Sequence, residues 1–413
     1  GVGYIISNEA FWGINKDIVN KLKFKATYGM VGNDQIGEPT DRFFYLSNVN
    51  LNNGDKGYSW GTNFDYNVTG VSTSRYADPF ITWETSYKQN YGFELGLFNK
   101  IELQGDFFIE RRKKILQNRA SIPTTMGLQS APQANIGETK GSGFELSLDY
   151  NEVINKDFWI TARGNFTYAK AKYVVFEEPN YFDSPWRRIT GSQLGQGRGL
   201  IAERLFVDDE DVRNSPRQDF GAYTAGDIKY KDINNDGIIN AKDVVPIGYP
   251  TSPEIIYGLG FSIGYKSFDF SSFFQGSARS SFWIDTTGDD HISPFGGERA
   301  LLKVIADDHW SETDRNIRAF WPRLSVGGMS NNNQRSTWFM RDGSFLRWKS
   351  AELGYTLPKD ISRKARVEVA RLYLSATNLL CFSKFKLWDP EMAGNGLGYP
   401  LQRVINIGIN LTF

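Results

Sequence analysis

The chain has 413 residues, more than one small sandwich needs and enough for a large barrel. Lysine plus arginine and aspartate plus glutamate each number 47, so the formal net charge is zero, which argues against nucleic acid as a partner. Aromatic residues make up 15% of the chain, yet its mean hydropathy is -0.42. No apolar run approaches the roughly 20 residues of a membrane helix. This combination is typical of a β-barrel in a bilayer, where only alternate residues face lipid and aromatic girdles mark both interfaces.

The first residues of the chain are not expected to form a signal peptide. Gly1–Tyr4 lacks the basic start, the apolar stretch and the cleavage site of a signal peptide. The single cysteine, Cys381, excludes an intramolecular disulfide framework. Because barrel-like sequence begins at once, we expect residues 1–413 to be the C-terminal part of a longer or processed polypeptide.

Amphipathic segments of roughly 9–12 residues recur along the chain, which is the length that a tilted strand needs to cross a bilayer. Within each segment apolar residues alternate with polar ones, so that one face of the strand is apolar. The predicted strands are Leu22–Gly32, Tyr91–Phe98, Ile101–Arg111, Phe144–Tyr150, Phe158–Tyr168, Ile256–Tyr265, Phe268–Gln275, Arg347–Leu357, Arg371–Leu379 and Arg403–Phe413.

The predicted connections fall into two classes of length. Tight connections are expected at Asn99-Lys100, at Lys266-Ser267 and over Asn151–Asp157. Long polar connections are expected over Asp34–Tyr58, Ile115–Gly141, Val174–Tyr257 and Ser277–Ser336. Short turns at one end and long loops at the other are typical of outer-membrane barrels, whereas soluble loops of this length are uncommon.

One helix is predicted inside a long loop. Over Gly297–Thr313, Leu301, Leu302, Val304, Ile305 and Trp310 recur near helical spacing.

The last predicted strand ends on Phe413. Ile405, Ile407, Ile409, Leu411 and Phe413 share one face, while Asn406, Gly408, Asn410 and Thr412 share the other. Bacterial outer-membrane barrels end on such a strand because their assembly machinery reads its terminal aromatic residue. We therefore expect the first set to face lipid and Phe413 to act as an assembly signal; taken alone, the pattern also fits a sandwich strand.

Residues 232–243 match the spacing of an EF-hand-like calcium loop. Calcium prefers several hard oxygen ligands, and this spacing wraps them around one point. The predicted ligands are Asp232, Asn234, Asp236, the carbonyl of Ile238, Asn240 and Asp243. The last ligand is Asp rather than Glu, and paired flanking helices are not expected. The predicted role of the bound calcium is to hold a long external loop in place. The alternative is a polar turn held by Asx hydrogen bonds without an ion.

No arrangement of residues in the sequence predicts catalysis. The two histidines, His291 and His309, lack a nucleophile elbow, zinc spacing or a phosphate loop around them. The acidic run Asp208–Asp211 is typical of a solvated loop, with divalent ions or a basic partner as the alternative. Most loop tryptophans are expected to pack their loops, and Trp186-Arg187-Arg188 is the predicted substrate contact.

Several motifs, in this order and spacing, resemble the C-terminal barrel of the SusC/RagA family of TonB-linked outer-membrane transporters. The resemblance runs through most of the chain. The motifs are Phe24–Asn33, Trp83–Thr85 with Phe93–Gly96, Asn135–Gly137 with Gly141–Glu145, Gly226–Asp232, Ile247–Pro253, Leu372–Leu379, and Trp388–Glu391 with Tyr399-Pro400.

This resemblance implies an all-β fold: a transmembrane antiparallel β-barrel, part of a 22-strand receptor barrel with long extracellular loops and a plug. It also implies TonB-dependent import of oligosaccharides or peptides through the outer membrane of a Bacteroidetes-like Gram-negative bacterium. The implied partners are a SusD-like lipoprotein, TonB, outer-membrane lipid and a glycan or peptide. The plug domain and first barrel strands are not expected within residues 1–413, so TonB coupling would need a further N-terminal part.

Two other functions compete with import. A passive porin or adhesin-type barrel would show the same strand pattern, and a neighbouring gene for a SusD-like lipoprotein would favour import over it. A soluble carbohydrate-active β enzyme is the third reading, which detergent-free solubility of the folded chain would favour.

Overall fold

The computed structural model describes residues 1–35, 43–286, 301–364 and 366–413. Eleven strands form one antiparallel sheet in which every strand pairs with its sequence neighbours. The strands of this sheet are β1 (Val2–Ile5), β2 (Val19–Asn33), β3 (Glu84–Leu97), β4 (Ile101–Asn118), β5 (Gln133–Asn155), β6 (Phe158–Val175), β7 (Ile255–Tyr265), β8 (Phe268–Ala278), β9 (Phe345–Thr356), β10 (Val369–Ser383) and β11 (Val404–Thr412). All ten predicted strands are therefore confirmed. None of the helices that the structure describes is long and apolar enough to span a membrane.

The register of the sheet separates two faces. The apolar face carries Ile407 of β11, Leu374 of β10, Leu353 of β9, Phe270 of β8 and Ile263 of β7, which lie directly opposite one another in a single row. The neighbouring positions along each strand point to the other side, which we call the polar face. Ile407 is 84% exposed, so the apolar face has no protein layer covering it there.

A second row on the apolar face is aromatic. Phe158, Tyr265, Phe268 and Tyr355 lie opposite one another across β6 to β9, beside the short turns. Ring centroids are 6.3 Å apart for Phe158 and Tyr265 and 4.7 Å apart for Phe268 and Tyr355. Such a row is the girdle expected where a barrel strand leaves the hydrocarbon.

The connections show the predicted asymmetry, with corrections to their limits. The hairpins at 98–100 and 266–267 are tight, but β5 runs to Asn155, so its connection to β6 is only Lys156-Asp157 rather than Asn151–Asp157. The 34–58 region is not a plain loop, because Asn48–Trp60 pairs with Tyr66–Arg75 in a separate ribbon. β4 and β5 also extend to Asn118 and from Gln133, which shortens the predicted 115–141 loop.

The predicted loop helix is mostly wrong. Within 297–313 the structure has only α2, Lys303–Ala306, and residues 297–300 lie outside the described part of the chain. Tertiary packing explains why the helix is so short. Trp310 and Ile305 are both buried in one apolar core, and an irregular segment buries these two side chains as well as a helix would. The other helices are α1 (Asp209–Arg213) and α3 (Lys359–Lys364).

The long connections fold into a unit of their own, which we call the loop domain: residues 176–254, 279–286, 301–344 and 384–403. Its short strand pairs are Gln196–Gly199 with Val245–Pro250, Ala202–Leu205 with Ile228–Tyr230, Arg217–Gln218 with Ile238–Ile239, and Ser281–Trp283 with Met340–Asp342. Short 3-10 turns of the loop domain lie at Pro185–Arg187, Ala241–Asp243 and Pro390–Met392, and two further ones, Ile6–Asn8 and Thr124–Met126, lie outside it. The buried apolar cluster lies in the loop domain. Its members include Trp321, Tyr230, Ile228, Leu205 and Ile305.

A buried polar network joins the two longest segments of the loop domain. Asp227 is 0% exposed and accepts hydrogen bonds from Arg323 at 3.1 Å and from Asn332 at 2.9 Å. Asn331 accepts from Gln218 at 2.7 Å, and the Tyr230 hydroxyl donates to the Asn331 carbonyl at 2.7 Å. Because each buried polar group finds a partner across the two segments, the network specifies how they pack together.

Candidate functional site

The polar face is lined by ion pairs. Lys23 lies 2.9 Å from Glu94, and Arg163 lies 2.8 Å from Asp149 on the neighbouring strand. Further pairs on this face are Lys21 with Glu94, Lys21 with Glu102, Lys25 with Asp106, and Arg371 with both Asp269 and Glu352. Charges of both signs on one side of the sheet, opposite a lipid-type side, are the arrangement of a barrel with an aqueous or protein-filled interior.

A cavity of about 320 Å³ lies where the polar face meets the loop domain. The strand side of the cavity is formed by Ile256, Gln275 and Ser277, which lie on the polar face. The loop side includes Phe282 and Glu391. Hydroxyl, amide and carboxylate groups next to apolar walls suit a polar organic ligand that carries some apolar surface.

Arg347 positions one wall of this cavity. It lies on the polar face of β9, is buried, and donates from Nη2 to both Asp389 oxygens at 2.6 and 2.7 Å. The same nitrogen lies 2.7 Å from Glu391, a cavity residue. Sequence reasoning missed Arg347, although a lone arginine at a polar strand position together with the Asp389-Pro390-Glu391 segment was an available signal.

The three predicted substrate residues have different surroundings. Trp186 donates from its indole nitrogen to the Lys242 carbonyl at 2.7 Å, and Arg187 stacks on Tyr181 with 4.7 Å between the guanidinium carbon and the ring centroid. Arg188 has a side chain that is 70% exposed and lies 3.9 Å from Glu178. The structure therefore uses Trp186 and Arg187 to pack the loop domain and leaves Arg188 extended toward solvent.

The predicted calcium loop forms a tight turn stabilised by its own side chains. Asp232 accepts from the backbone nitrogens of Asn235 at 2.7 Å and Gly237 at 2.8 Å. Asp236 accepts from the backbone nitrogen of Ile238 at 2.9 Å, and this hydrogen bond lowers the pKa of the Asp236 carboxyl. Positive φ angles of 58° at Asn235 and 80° at Gly237 make the sharp turn, which glycine adopts without strain.

Asp243, the predicted closing ligand, acts as an internal clamp in this geometry. Its carboxylate is fully buried and accepts from the backbone nitrogens of Ile233 and Asn240, each at 2.8 Å. Among the residues that the structure describes, no group of three or more His, Cys, Asp or Glu side chains is placed to hold a metal ion. Asp232, Asn234 and Asp236 lie together on the exposed side of the turn, and calcium binding by this loop stays a prediction.

The two predicted sites are adjacent, because Trp186 bonds to the carbonyl of Lys242, next to the clamp residue Asp243. His309 follows α2 rather than lying on it, and His291 lies outside the described residues. Cys381 lies within β10, not beyond its end. Phe413 follows the last residue of β11 and is exposed; its role in assembly stays a prediction that deletion of Phe413 tests.

A family model described as "TonB dependent receptor-like, beta-barrel" matches residues 17–379. The chain belongs to this TonB-dependent receptor β-barrel family. The predicted transmembrane antiparallel barrel is thereby confirmed, and the eleven described strands are half of the 22 that the resemblance implied.

The relatives and the solved structures agree with this membership. The chain is 28% identical to TonB-dependent receptor P26 of Formosa agariphila, with 99% of this chain and 41% of that protein aligned. It is 23% identical to TonB-dependent receptor SusC of Bacteroides thetaiotaomicron, with 100% of this chain and 39% of that protein aligned. The chain thus spans about two fifths of the length of these relatives.

The fold is similar to that of a chain in the structure of the RagAB peptide transporter. The TM-score is 0.72 at 22% identity, and the match covers 100% of this chain and 43% of the other. Together with the SusC relative, this similarity confirms the predicted resemblance to SusC/RagA proteins.

Proposed function

We propose that this TonB-dependent receptor barrel is part of an outer-membrane importer of oligosaccharides or peptides. The observation that carries the proposal is the division of the sheet into an exposed apolar face and an ion-paired polar face, with a cavity at one end of the polar face. A lipid-facing wall around a charged interior separates two aqueous compartments. The membership of the family supports energy-coupled import, with TonB acting through a further N-terminal part.

The cavity and the loop domain are the proposed points of contact with cargo and with a SusD-like lipoprotein. The cavity presents serine hydroxyls and the Glu391 carboxylate, and Arg188 extends from the loop domain. These groups hydrogen-bond equally well to the hydroxyls of a glycan and to the amides of a peptide. We propose transport without a catalytic step, which the membership of the TonB-dependent receptor family supports.

A growth screen tests import and its substrate class together. Deletion of the gene should abolish growth on one class of single glycan or protein source while leaving growth on simple sugars unchanged. Loss of TonB in the same strain should have the same effect. Uptake that persists without TonB would instead support a passive porin.

A pair of arginine variants tests the loop contact. Arg188→Ala should weaken uptake or co-purification of the lipoprotein, whereas Arg217→Ala, which removes a similarly exposed arginine of the loop domain, should not. Equal behaviour of the two variants would remove Arg188 from the proposed site.

A further inference from the structure

Basic side chains cluster at the long-loop end of β4, β5 and β6. Arg111 lies directly opposite Lys140, and Lys140 lies directly opposite Lys172. Lys170 lies two residues nearer the membrane on β6. All four positions alternate in phase with Phe107, Phe144 and Tyr168, so they share the apolar side of the sheet rather than the polar face.

The arrangement is unfavourable for the isolated protein. Residues directly opposite on neighbouring strands have Cβ atoms about 5 Å apart, and like charges at that separation are destabilising. Arg111 is paired with Glu138. Lys140, Lys170 and Lys172 are exposed, and no ion pair found among the described residues includes any of these three lysines.

The nearest carboxylates of these strands are already engaged, since Glu138 pairs with Arg111. Glu110 lies on the polar face, where it accepts from Arg112 at 2.8 Å and from Ser86 at 2.6 Å. It is therefore separated from Lys140 and Lys172 by the sheet itself. Within the part of the chain that the structure describes, neither carboxylate supplies the three lysines with a counter-charge.

The basic row formed by Arg111, Lys140 and Lys172 lies at a defined height relative to the membrane. Phe107, Phe144 and Tyr168 form a cross-strand aromatic row, and Arg111 and Lys140 lie four residues beyond it, roughly 14 Å along the strand. On a tilted strand this distance corresponds to the headgroup layer just outside the hydrocarbon. Lysine stems are long enough to lie along the apolar surface while the ammonium reaches headgroups at this level.

The cluster is local to this part of the sheet. In the same cross-strand row, the neighbouring positions on β3 and β2 are Tyr87, directly opposite Arg111, and Met30, directly opposite Tyr87, and neither carries a charge. A uniform solvated rim would distribute cations over all strands, so the concentration on three adjacent strands indicates a specific anionic ligand.

We propose that Lys140, Lys170 and Lys172, together with Arg111, bind phosphate-bearing lipid headgroups of net negative charge in the leaflet on the long-loop side. A phosphate oxygen between two opposed lysines replaces their mutual repulsion with two charge-assisted hydrogen bonds. The site belongs to the membrane-facing wall of the barrel and is independent of what the barrel transports.

Native mass spectrometry of the intact protein in detergent, titrated with phosphatidylglycerol or phosphatidylcholine, tests this site. Replacing all three lysines, K140Q/K170Q/K172Q, should weaken phosphatidylglycerol binding on the order of 100-fold, since each basic residue near an anionic surface contributes about a factor of five to ten. Phosphatidylcholine binding should not change. The charge-conserving variant K140R/K170R/K172R should retain phosphatidylglycerol binding.

The matched control removes the same charge elsewhere. K56Q/K231Q/K303Q replaces three exposed lysines outside the eleven strands and should bind phosphatidylglycerol as the unmodified protein does. Equal weakening by the control would show a net-charge effect and overturn the site. Inorganic phosphate that displaces phosphatidylglycerol at an equal phosphate concentration would overturn the lipid as its ligand. Unchanged heat-modifiability of the barrel on gels shows that each variant is folded.

Discussion

The sheet and the loop domain place their apolar side chains in opposite environments. On β11 and its neighbours the apolar side chains are exposed, and the charged ones meet in pairs on the other face. In the loop domain the apolar side chains of Trp321, Tyr230 and Ile305 are instead nearly fully buried. The sheet therefore presents its apolar side chains to lipid. The loop domain instead buries them away from water, as a water-soluble domain does.

The two regions should accordingly lose stability independently. The largest effect is expected from Trp321→Ala, because the buried indole contacts Phe320 and Phe339 and donates to the Val304 carbonyl at 3.0 Å. We expect a loss of about 3–5 kcal/mol in the loop domain. Hydrogen exchange should show it in loop-domain amides and not in β3 to β6.

Phe182→Ala is the control for that variant, since Phe182 is an exposed aromatic residue of the same domain and should cost little. If the strand amides lost protection together with the loops in Trp321→Ala, the two regions would be one cooperative unit and the comparison would fail.

The second effect contrasts two neighbours on β11. Ile407→Lys places a charge on the apolar face and should destabilise the protein in lipid vesicles by about 2–4 kcal/mol if it lies near the bilayer midplane. Asn406→Lys places the same charge on the polar face and should cost far less. Urea titration of the folded barrel measures both, and equal costs would mean that the apolar face does not meet lipid.

A third effect is confined to the loop domain and depends on pH. Hydrogen bonds from Arg204, at 2.9 Å for its Nη2, together with Lys229 at 3.1 Å, hold the pKa of the Asp211 carboxyl below its usual value of 3.8. A lowered folded-state pKa stabilises the fold above the unfolded pKa, and that stability is lost as pH falls below about 4.

We expect Asp211→Asn to lose on the order of 2 kcal/mol at neutral pH and to flatten the acid limb of the loop-domain stability curve. Proteolysis of the loop domain between pH 3 and 7 provides the measurement. An unchanged acid limb in the variant would assign the pH dependence to other carboxylates.

The smallest effect concerns the 232–243 loop. If it binds calcium with the affinity of extracellular modules, millimolar calcium should stabilise the loop domain by about 1 kcal/mol. Asp236→Ala should abolish this gain, while Asp219→Ala, which removes an exposed carboxylate nearby, should preserve it. No heat in calorimetry and unchanged loop proteolysis in Asp236→Ala would leave the loop as an Asx-bonded turn without an ion.

The alternation of side chains made the strands of the sheet predictable. Ile405, Ile407, Ile409 and Leu411 show the apolar side of β11 without reference to any partner, because the period of two is a local property of an extended chain. The hairpin at Lys266-Ser267 was equally local, and its register pairs Tyr265 with Phe268 as a two-residue turn requires.

Predictions failed where distant segments meet. Asn331 and Asn332 have the composition of an exposed loop, yet both are buried because Gln218, Ile228 and Asp227, about a hundred positions away, supply their partners. The cavity beside Glu391 and the role of Arg347 depend in the same way on the Asp389–Glu391 segment folding back over β9.

The sequence by itself determined the membrane-spanning architecture, since lipid requires every strand to pair and every second side chain to be apolar, and both conditions leave a periodic trace. Only the tertiary structure decided how the loops fold, which of their aromatic residues are buried, and where Arg111, Lys140 and Lys172 align. Those outcomes depend on contacts between segments far apart in the chain, and neither periodicity nor composition records which segments will touch.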